Sequence, residues 1–147
     1  MKTSSISISI RTFMIGALLG TSALAIPLAQ ADEKAEQTQI PATSAAIWQS
    51  IDHEVADLKR TIESGKLADV HHHAFAVRDL VAALPERSGS LPTDTIAKVK
   101  AGRKFVATLA ERLDASGDAN DKAATVSNFE KLQDLLKSIR DNYSMGK

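Results

Sequence analysis

The sequence predicts an all-α fold, an up-down-up-down antiparallel four-helix bundle, and three observations favour it. Four segments place apolar residues at alternating spacings of three and four, which is typical of a helix that packs one face into a core. No segment alternates with a period of two, so we expect no sheet. Short connections join the first segment to the second and the third to the fourth, which favours antiparallel neighbours.

The first 31 residues have the order of a secretory signal peptide. Lys2 and Arg11 give a positively charged start, and an apolar run follows over residues 13–28. The segment ends in an Ala-Gln-Ala sequence, whose small residues suit signal peptidase, so we expect cleavage after Ala31. The run is shorter and more interrupted than the about 20 strongly apolar residues of a spanning helix. We therefore expect an exported, periplasmic protein with no membrane span after cleavage.

The composition of the expected mature chain indicates one small domain. Removing 31 of 147 residues leaves 116, with the bundle itself expected over residues 44–147. The loss of two basic residues leaves 16 basic against 18 acidic ones, a net charge of −2. This near-neutral charge argues against a nucleic-acid partner, whereas a protein partner is left open. Because the chain has no Cys, the core must hold the fold without disulfides.

The first helix follows a polar leader. Residues 32–43 lack periodicity and contain Pro41, so we expect them to be flexible. Thr43 or Ser44 can cap the helix, and Gly65 is typical of its left-handed end. The apolar stripe of this helix consists of Trp48, Ile51, Val55, Leu58 and Ile62.

Three further helices are expected after Gly65. The second follows directly and ends at Pro85, before a loop over residues 86–92. The third begins near Thr93 and ends at Gly117, and the fourth starts within residues 118–121. The stripes are Leu67, Val70, Ala74, Val77, Val81 and Leu84 in the second helix; Val99, Gly102, Val106, Leu109 and Leu113 in the third, flanked by Ile96 and Phe105; and Thr125, Phe129, Leu132, Leu136, Ile139 and Tyr143 in the fourth.

Gly102 is unusual because it lies in the core stripe of a helix. A glycine inside a helix costs about 1 kcal/mol relative to Ala. We therefore expect compensation, either from a closely approaching helix or from a bulky side chain such as Phe75 or Trp48 that fills the space.

The tract His71-His72-His73 is the most unusual local feature, and it predicts a transition-metal site. Imidazole nitrogens are good ligands for Cu, Zn and Ni. Successive helical side chains point about 100° apart, so the three rings cannot all reach one ion. Helical ligand pairs need spacings of three or four, which pairs Asp69 with His72 or His73. We expect a weak site on His71, His72 and His73, with Asp69 as the carboxylate ligand, completed by another helix or another chain.

His53, the remaining histidine, is not expected to join this tract. If the first two helices are antiparallel and pair symmetrically about Gly65, His53 lies opposite residue 77 or 78. The tract is then roughly 8 to 9 Å away along the helix axis. In the register of the first helix, His53 also lies on the outer face.

The alternative is that the histidines are ordinary surface or boundary residues, or that they sense pH. His72 is expected to face solvent, with His71 and His73 beside the apolar seam, where a carboxylate such as Asp69 can satisfy a ring nitrogen. The protein would then be an interaction module with no ligand.

Motifs for other chemistry do not fit. The Asp-rich segment at residues 114–121 has Ala119 where an EF-hand needs its sixth-position Gly, and Thr125 where it needs Glu. Helix capping explains the segment better. There is no Cys nucleophile, no Gly-x-Ser-x-Gly sequence and no phosphate-binding Gly loop, so we expect no enzyme.

An exported four-helix chain that ends in Arg-Asp-Asn-Tyr at residues 140–143 resembles the cytochrome b562 family of periplasmic bundles. The resemblance covers most of the mature chain and implies the up-down-up-down fold. That family binds haem through a Met early in the first helix and a His just after the Tyr. Here Ser144 follows Tyr143, and the only Met of the mature chain is Met145. The resemblance therefore implies the fold and argues against haem as a cofactor.

Overall fold

The computed structural model describes residues 38–144, and the regular secondary structure of this part of the chain is all helical, without strands. The predicted all-α class and the number of helices are confirmed. The expected signal peptide and residues 32–37 of the expected leader lie outside the described residues. The α-helices are α1 (Ser44–Glu63), α2 (Val70–Ala83), α3 (Thr93–Asp118) and α4 (Lys122–Ser144), and two 3-10 turns lie at Leu67–Asp69 and Leu84–Arg87.

All four helices contribute to one hydrophobic core. Helices that are consecutive in the chain pack most extensively against each other, and α1 meets α4 through fewer residues. Among residues 38–144, no helix is both long and apolar enough to cross a membrane. The apolar stripes of this part of the chain face the shared core.

The predicted stripes match the core closely. The stripe of the second helix is buried at every position. Trp48 and Val55 of α1 and Tyr143 of α4 are only partly buried, because they lie where α1 and α4 pack least extensively. Three buried hydrophobic residues fall outside the predicted stripes, namely Ile47, Leu80 and Ala110. Each is one position from a stripe residue, so the buried faces are wider than a single line of side chains.

Three predicted helix ends are confirmed by backbone geometry. The Thr43 hydroxyl accepts a hydrogen bond from the Ala46 N–H at 3.2 Å and caps α1. Gly65 adopts a positive φ of 77° after the end of α1. At the start of α4, the Asp121 carboxylate accepts from the Ala124 N–H at 3.0 Å. The Asp-rich segment thus supplies a cap, as the capping interpretation predicts.

The expected end of the third helix at Gly117 is wrong. Helix α3 continues to Asp118, and Asn120, with φ 52°, provides the left-handed residue after its end. Gly117 instead lies buried inside the helix, where a Cβ would overlap the carbonyl oxygen of Leu67 and lie 2.7 Å from a methyl of Val70. Glycine is therefore required at position 117 by close packing and not by backbone conformation.

At Gly102 the structure shows the first of the two expected alternatives, a closely approaching helix, and that helix is α4. A Cβ at this position would lie 2.9 Å from Cδ1 of Ile139, so α4 fills the gap and neither Phe75 nor Trp48 does. The contact joins α3 to α4 in the core and compensates for the glycine through packing.

Candidate metal-binding site

The histidine tract occupies the first turn of α2. The 3-10 turn Leu67–Asp69 leads directly into the helix, and Val70 and Ala74, on either side of the tract, are both buried in the core. These two buried side chains fix the rotation of α2 about its own axis. The three intervening side chains must therefore spread over the half of the helix that faces away from the core.

His71 and His72 lie side by side at the surface. Their ring centroids are 3.9 Å apart, with the planes tilted by 41°. His71 is partly buried and His72 is exposed, as predicted. Nδ1 of His71 lies 2.7 Å from the Ala68 carbonyl oxygen. Because a carbonyl can only accept, Nδ1 carries the proton, and Nε2 of the neutral ring keeps its lone pair free.

His73 points to a different partner, the carboxylate of Glu54 on α1. Nδ1 of His73 donates to Oε2 of Glu54 at 2.8 Å, and the two side chains are 27% and 26% exposed. We expected Asp69 as the carboxylate partner of this tract. Asp69 is exposed, and no hydrogen bond or ion pair joins it to these histidines within the described residues. The pair of His73 and Glu54 thus links α1 to α2.

The contact between Glu54 and His73 departs by three residues from the expected register between α1 and α2. Reflection about Gly65 places Glu54 opposite residue 76, whereas the side chain of Glu54 meets His73. The 3-10 turn Leu67–Asp69 contributes to this shift. It rises about 2.0 Å per residue against about 1.5 Å in an α-helix, so fewer residues bring the chain back to the level of Glu54.

Along the helix axis, His53 therefore lies closer to the histidine tract than expected, but its side chain lies beside a different residue. It is 72% exposed, and its Nε2 lies 3.4 Å from Oδ2 of Asp57, one turn later in α1. Among residues 38–144, no three His, Asp or Glu side chains are grouped so that they could hold one metal ion. The described part of one chain thus offers His71 and His72 as an adjacent pair and no third ligand beside them.

A second polar cluster lies where α1 meets α4, and sequence reasoning missed it. The guanidinium of Arg140 lies 4.4 Å from the Trp48 ring centroid, and Nη2 donates to the Asp52 carboxylate at 2.5 Å. Beside these residues lies an open groove of about 200 Å³, with a floor that includes Ile51 and Leu136. Trp48 and Arg140 occupy sequence-distant helices, so only their long-range packing reveals the cluster.

Tyr143 completes this cluster. Its ring packs edge-on against Trp48, with centroids 5.6 Å apart and planes at 84°. Its hydroxyl lies 2.7 Å from the hydroxyl of the buried Ser88. Burial raises the pKa of Tyr143 above its ordinary value of 10.0, and the hydrogen bond with Ser88 opposes that rise. Ring packing, the ion pair of Arg140 with Asp52 and the hydrogen bond of Tyr143 with Ser88 hold the cluster together.

Comparison with known proteins adds no relative. No protein-family model, no curated protein and no solved structure matches this chain. Any function must therefore be argued from the residues themselves.

Proposed function

We propose that this protein is a non-enzymatic, periplasmic, up-down-up-down four-helix bundle that binds a transition-metal ion, Cu, Zn or Ni, through His71 and His72. One observation carries the proposal. The Ala68 carbonyl holds the Nδ1 proton of His71, and this leaves Nε2 free beside the exposed ring of His72. Hydrogen bonding of one ring nitrogen to orient the other is the usual arrangement for metal-ligating histidines.

The ligand pair departs from the expected spacing of three or four, because the rings of the adjacent His71 and His72 lie 3.9 Å apart. It is also narrower than the whole tract. His73 lies two residues after His71, and side chains two apart point to nearly opposite sides of a helix. Its Nδ1 is also held by Glu54, which turns the ring toward α1. Asp69 lies one turn before His72 and is exposed, so it contributes negative charge near a bound cation and is not required as a ligand.

The core supports a function other than catalysis. The buried polar residues of the described part of the chain are Ser88, Ser116 and Thr125, and each side chain has a hydrogen-bond partner. No carboxylate or imidazole is among them. General acid–base catalysis commonly uses a carboxylate or imidazole that burial has tuned, so binding is the better-supported class of activity.

Calorimetric titration of the untagged mature protein with Cu(II), Zn(II) and Ni(II) tests the proposal. We expect His71→Ala combined with His72→Ala to abolish binding. The matched controls His53→Ala and His73→Ala should retain it, because neither ring is grouped with His71 and His72 in one chain. A metal affinity no tighter than about 100 μM for all three ions would overturn the proposal, since stray surface histidines can supply about −5.5 kcal/mol.

Export is tested separately by mass. We expect the protein recovered from the periplasmic fraction to begin at Asp32, the residue after the expected cleavage site. A chain that keeps Met1 and sediments with membranes would contradict export with cleavage.

An interaction module without a ligand is the alternative function. The residue at which we test it is Phe105 of α3, whose side chain is 64% exposed. A photo-crosslinking residue at position 105 should give one discrete adduct in cells if the alternative is correct. The same residue at the exposed Glu130 of α4 is the control.

A further inference from the structure

We propose that one metal ion joins two copies of this chain, each supplying His71 and His72 from the start of α2. The inference rests on the proposed metal-binding function and names its partner, a second copy. Zn²⁺ takes four ligands in a closed site, and Cu(II) and Ni(II) also accept four nitrogens. Two imidazoles from one chain therefore leave an ion with half of its ligands unfilled.

The missing ligands are best supplied by the same surface of another copy. The chain has four histidines and no Cys, and all four histidines lie within the described residues. Neither His53 nor His73 is grouped with this pair, because no three potential ligands are assembled within residues 38–144. Two-fold symmetry presents an identical pair from the second copy, because an isologous contact repeats one surface on both partners.

The surface around the pair allows a second helix to approach. A two-fold axis that lies beside His72, between the two copies and perpendicular to both α2 helices, makes these helices antiparallel. Residues equally far before and after His72 then oppose one another. Ala68, in the 3-10 turn before α2, and Ala76, one turn after His72, are both small, and neither is buried. Ala76 of one copy thus faces Ala68 of the other, and small side chains at a contact permit short distances between helix axes.

The charge of this surface favours association of two copies through a bound cation and opposes their association without one. Asp69 is exposed one turn before His72, so each copy brings a carboxylate near the ion. Without metal these like charges repel, and the mature chains carry a net charge of −2 each. Association should therefore depend on metal and reverse when metal is removed.

Light scattering and sedimentation of the untagged mature protein, titrated with ZnCl₂, test the inference. We expect the molar mass to double at one Zn²⁺ per two chains and to return to the monomer value with a chelator. His72→Ala should remain monomeric at every Zn²⁺ concentration. His53→Ala and His73→Ala should form the dimer like the parent chain.

Ala76→Arg separates ligand binding from association. It keeps both histidines but places a long cationic side chain where the second copy approaches. We expect this variant to keep its helical circular dichroism and to bind Zn²⁺ while the doubling in mass is lost. Dimerisation unchanged by Ala76→Arg would overturn the antiparallel contact.

The remaining outcomes distinguish failure of the metal-linked dimer from failure of the proposed metal-binding function. Binding of one Zn²⁺ per chain without a change in mass overturns the dimer and leaves the metal-binding proposal intact. The absence of Zn²⁺, Cu(II) and Ni(II) binding overturns both. A dimer that survives the loss of His71 and His72 also overturns the inference, because association would then use another surface.

Discussion

At the residue scale, Tyr143 shows how a single side chain ties the ends of the helical domain together. It contacts Trp48 at the start of α1 and Ser88 in the connection between α2 and α3. Its phenol is partly buried, so forming a phenolate costs more in the folded protein than in the unfolded chain. The pKa of Tyr143 is raised because of that cost.

This raised pKa predicts alkaline destabilisation. A group that binds its proton more tightly when folded gives its full stabilisation below its unfolded pKa, about 10, and loses it as pH rises through the folded value. Because Tyr143 is the only Tyr, its ultraviolet phenolate absorbance should titrate with a midpoint above 10.0. Urea unfolding should show stability falling above about pH 10.

Tyr143→Phe is the control for this prediction. It removes the titrating group and the hydrogen bond to Ser88, which costs about 1 kcal/mol at neutral pH. Its stability should then fall less steeply than that of the parent above about pH 10. An equal fall in both proteins would assign the alkaline loss to other groups.

At the element scale, two glycines of α3 show how closely the neighbouring segments approach this helix. Gly117 meets the backbone of the 3-10 turn at Leu67, and Gly102 meets the side chain of Ile139. A carbonyl oxygen fixed in a turn cannot move without shifting the chain, whereas the end of an isoleucine can rotate. The two positions therefore tolerate a new methyl group differently, although both lie in one helix.

Substitution by alanine should separate these two glycines. Each change gains about 1 kcal/mol of helix propensity. Gly117→Ala should nevertheless destabilise the protein by about 1 to 3 kcal/mol, because its Cβ overlaps the Leu67 carbonyl. Gly102→Ala should stay within about 1 kcal/mol of the parent, because Ile139 can adjust. Chemical denaturation measures both, and an unchanged Gly117→Ala would mean that the turn moves freely.

At the scale of the whole molecule, stability depends on the core that all four helices share. Leu132 of α4 is fully buried, and Leu109 of α3 is almost so. Leu132→Ala and Leu109→Ala should each cost about 2 to 5 kcal/mol, with Leu132 nearer the upper end. Phe105→Ala, on an exposed site, is the control and should change stability by no more than about 0.5 kcal/mol.

Thermal and chemical unfolding followed by circular dichroism measure these effects. The parent spectrum should be dominated by helix. Near-neutral results at both leucines would contradict the common core, because no buried contact would then depend on them.

The sequence predicted the features that depend on neighbours up to four residues apart. The four apolar stripes lie on the core side of their helices, and the Thr43 cap, a cap within residues 118–121 and the left-handed Gly65 match the structure. These features are predictable because a helix sets its buried face and its caps through local backbone geometry. The exposure of His72, and of His71 and His73 at the boundary, follows from the same periodicity.

Glu54 was within reach of sequence reasoning and was missed. It lies three residues after Ile51 and four before Leu58, so it shares their helix face and borders the seam. That spacing alone indicated an acidic side chain directed toward a neighbouring helix. Which residue it would meet depended on the register of α2, and the 3-10 turn after α1 altered that register.

The sequence by itself thus determined the all-α class, the buried faces and most helix ends of the described residues. The tertiary structure alone decided the partner of His73, the role of Gly117 and the contact of Gly102 with Ile139. The physical reason is the range of the interactions. Periodicity and capping act within one helix, whereas these contacts depend on how helices rotate and shift against one another, which no local pattern encodes.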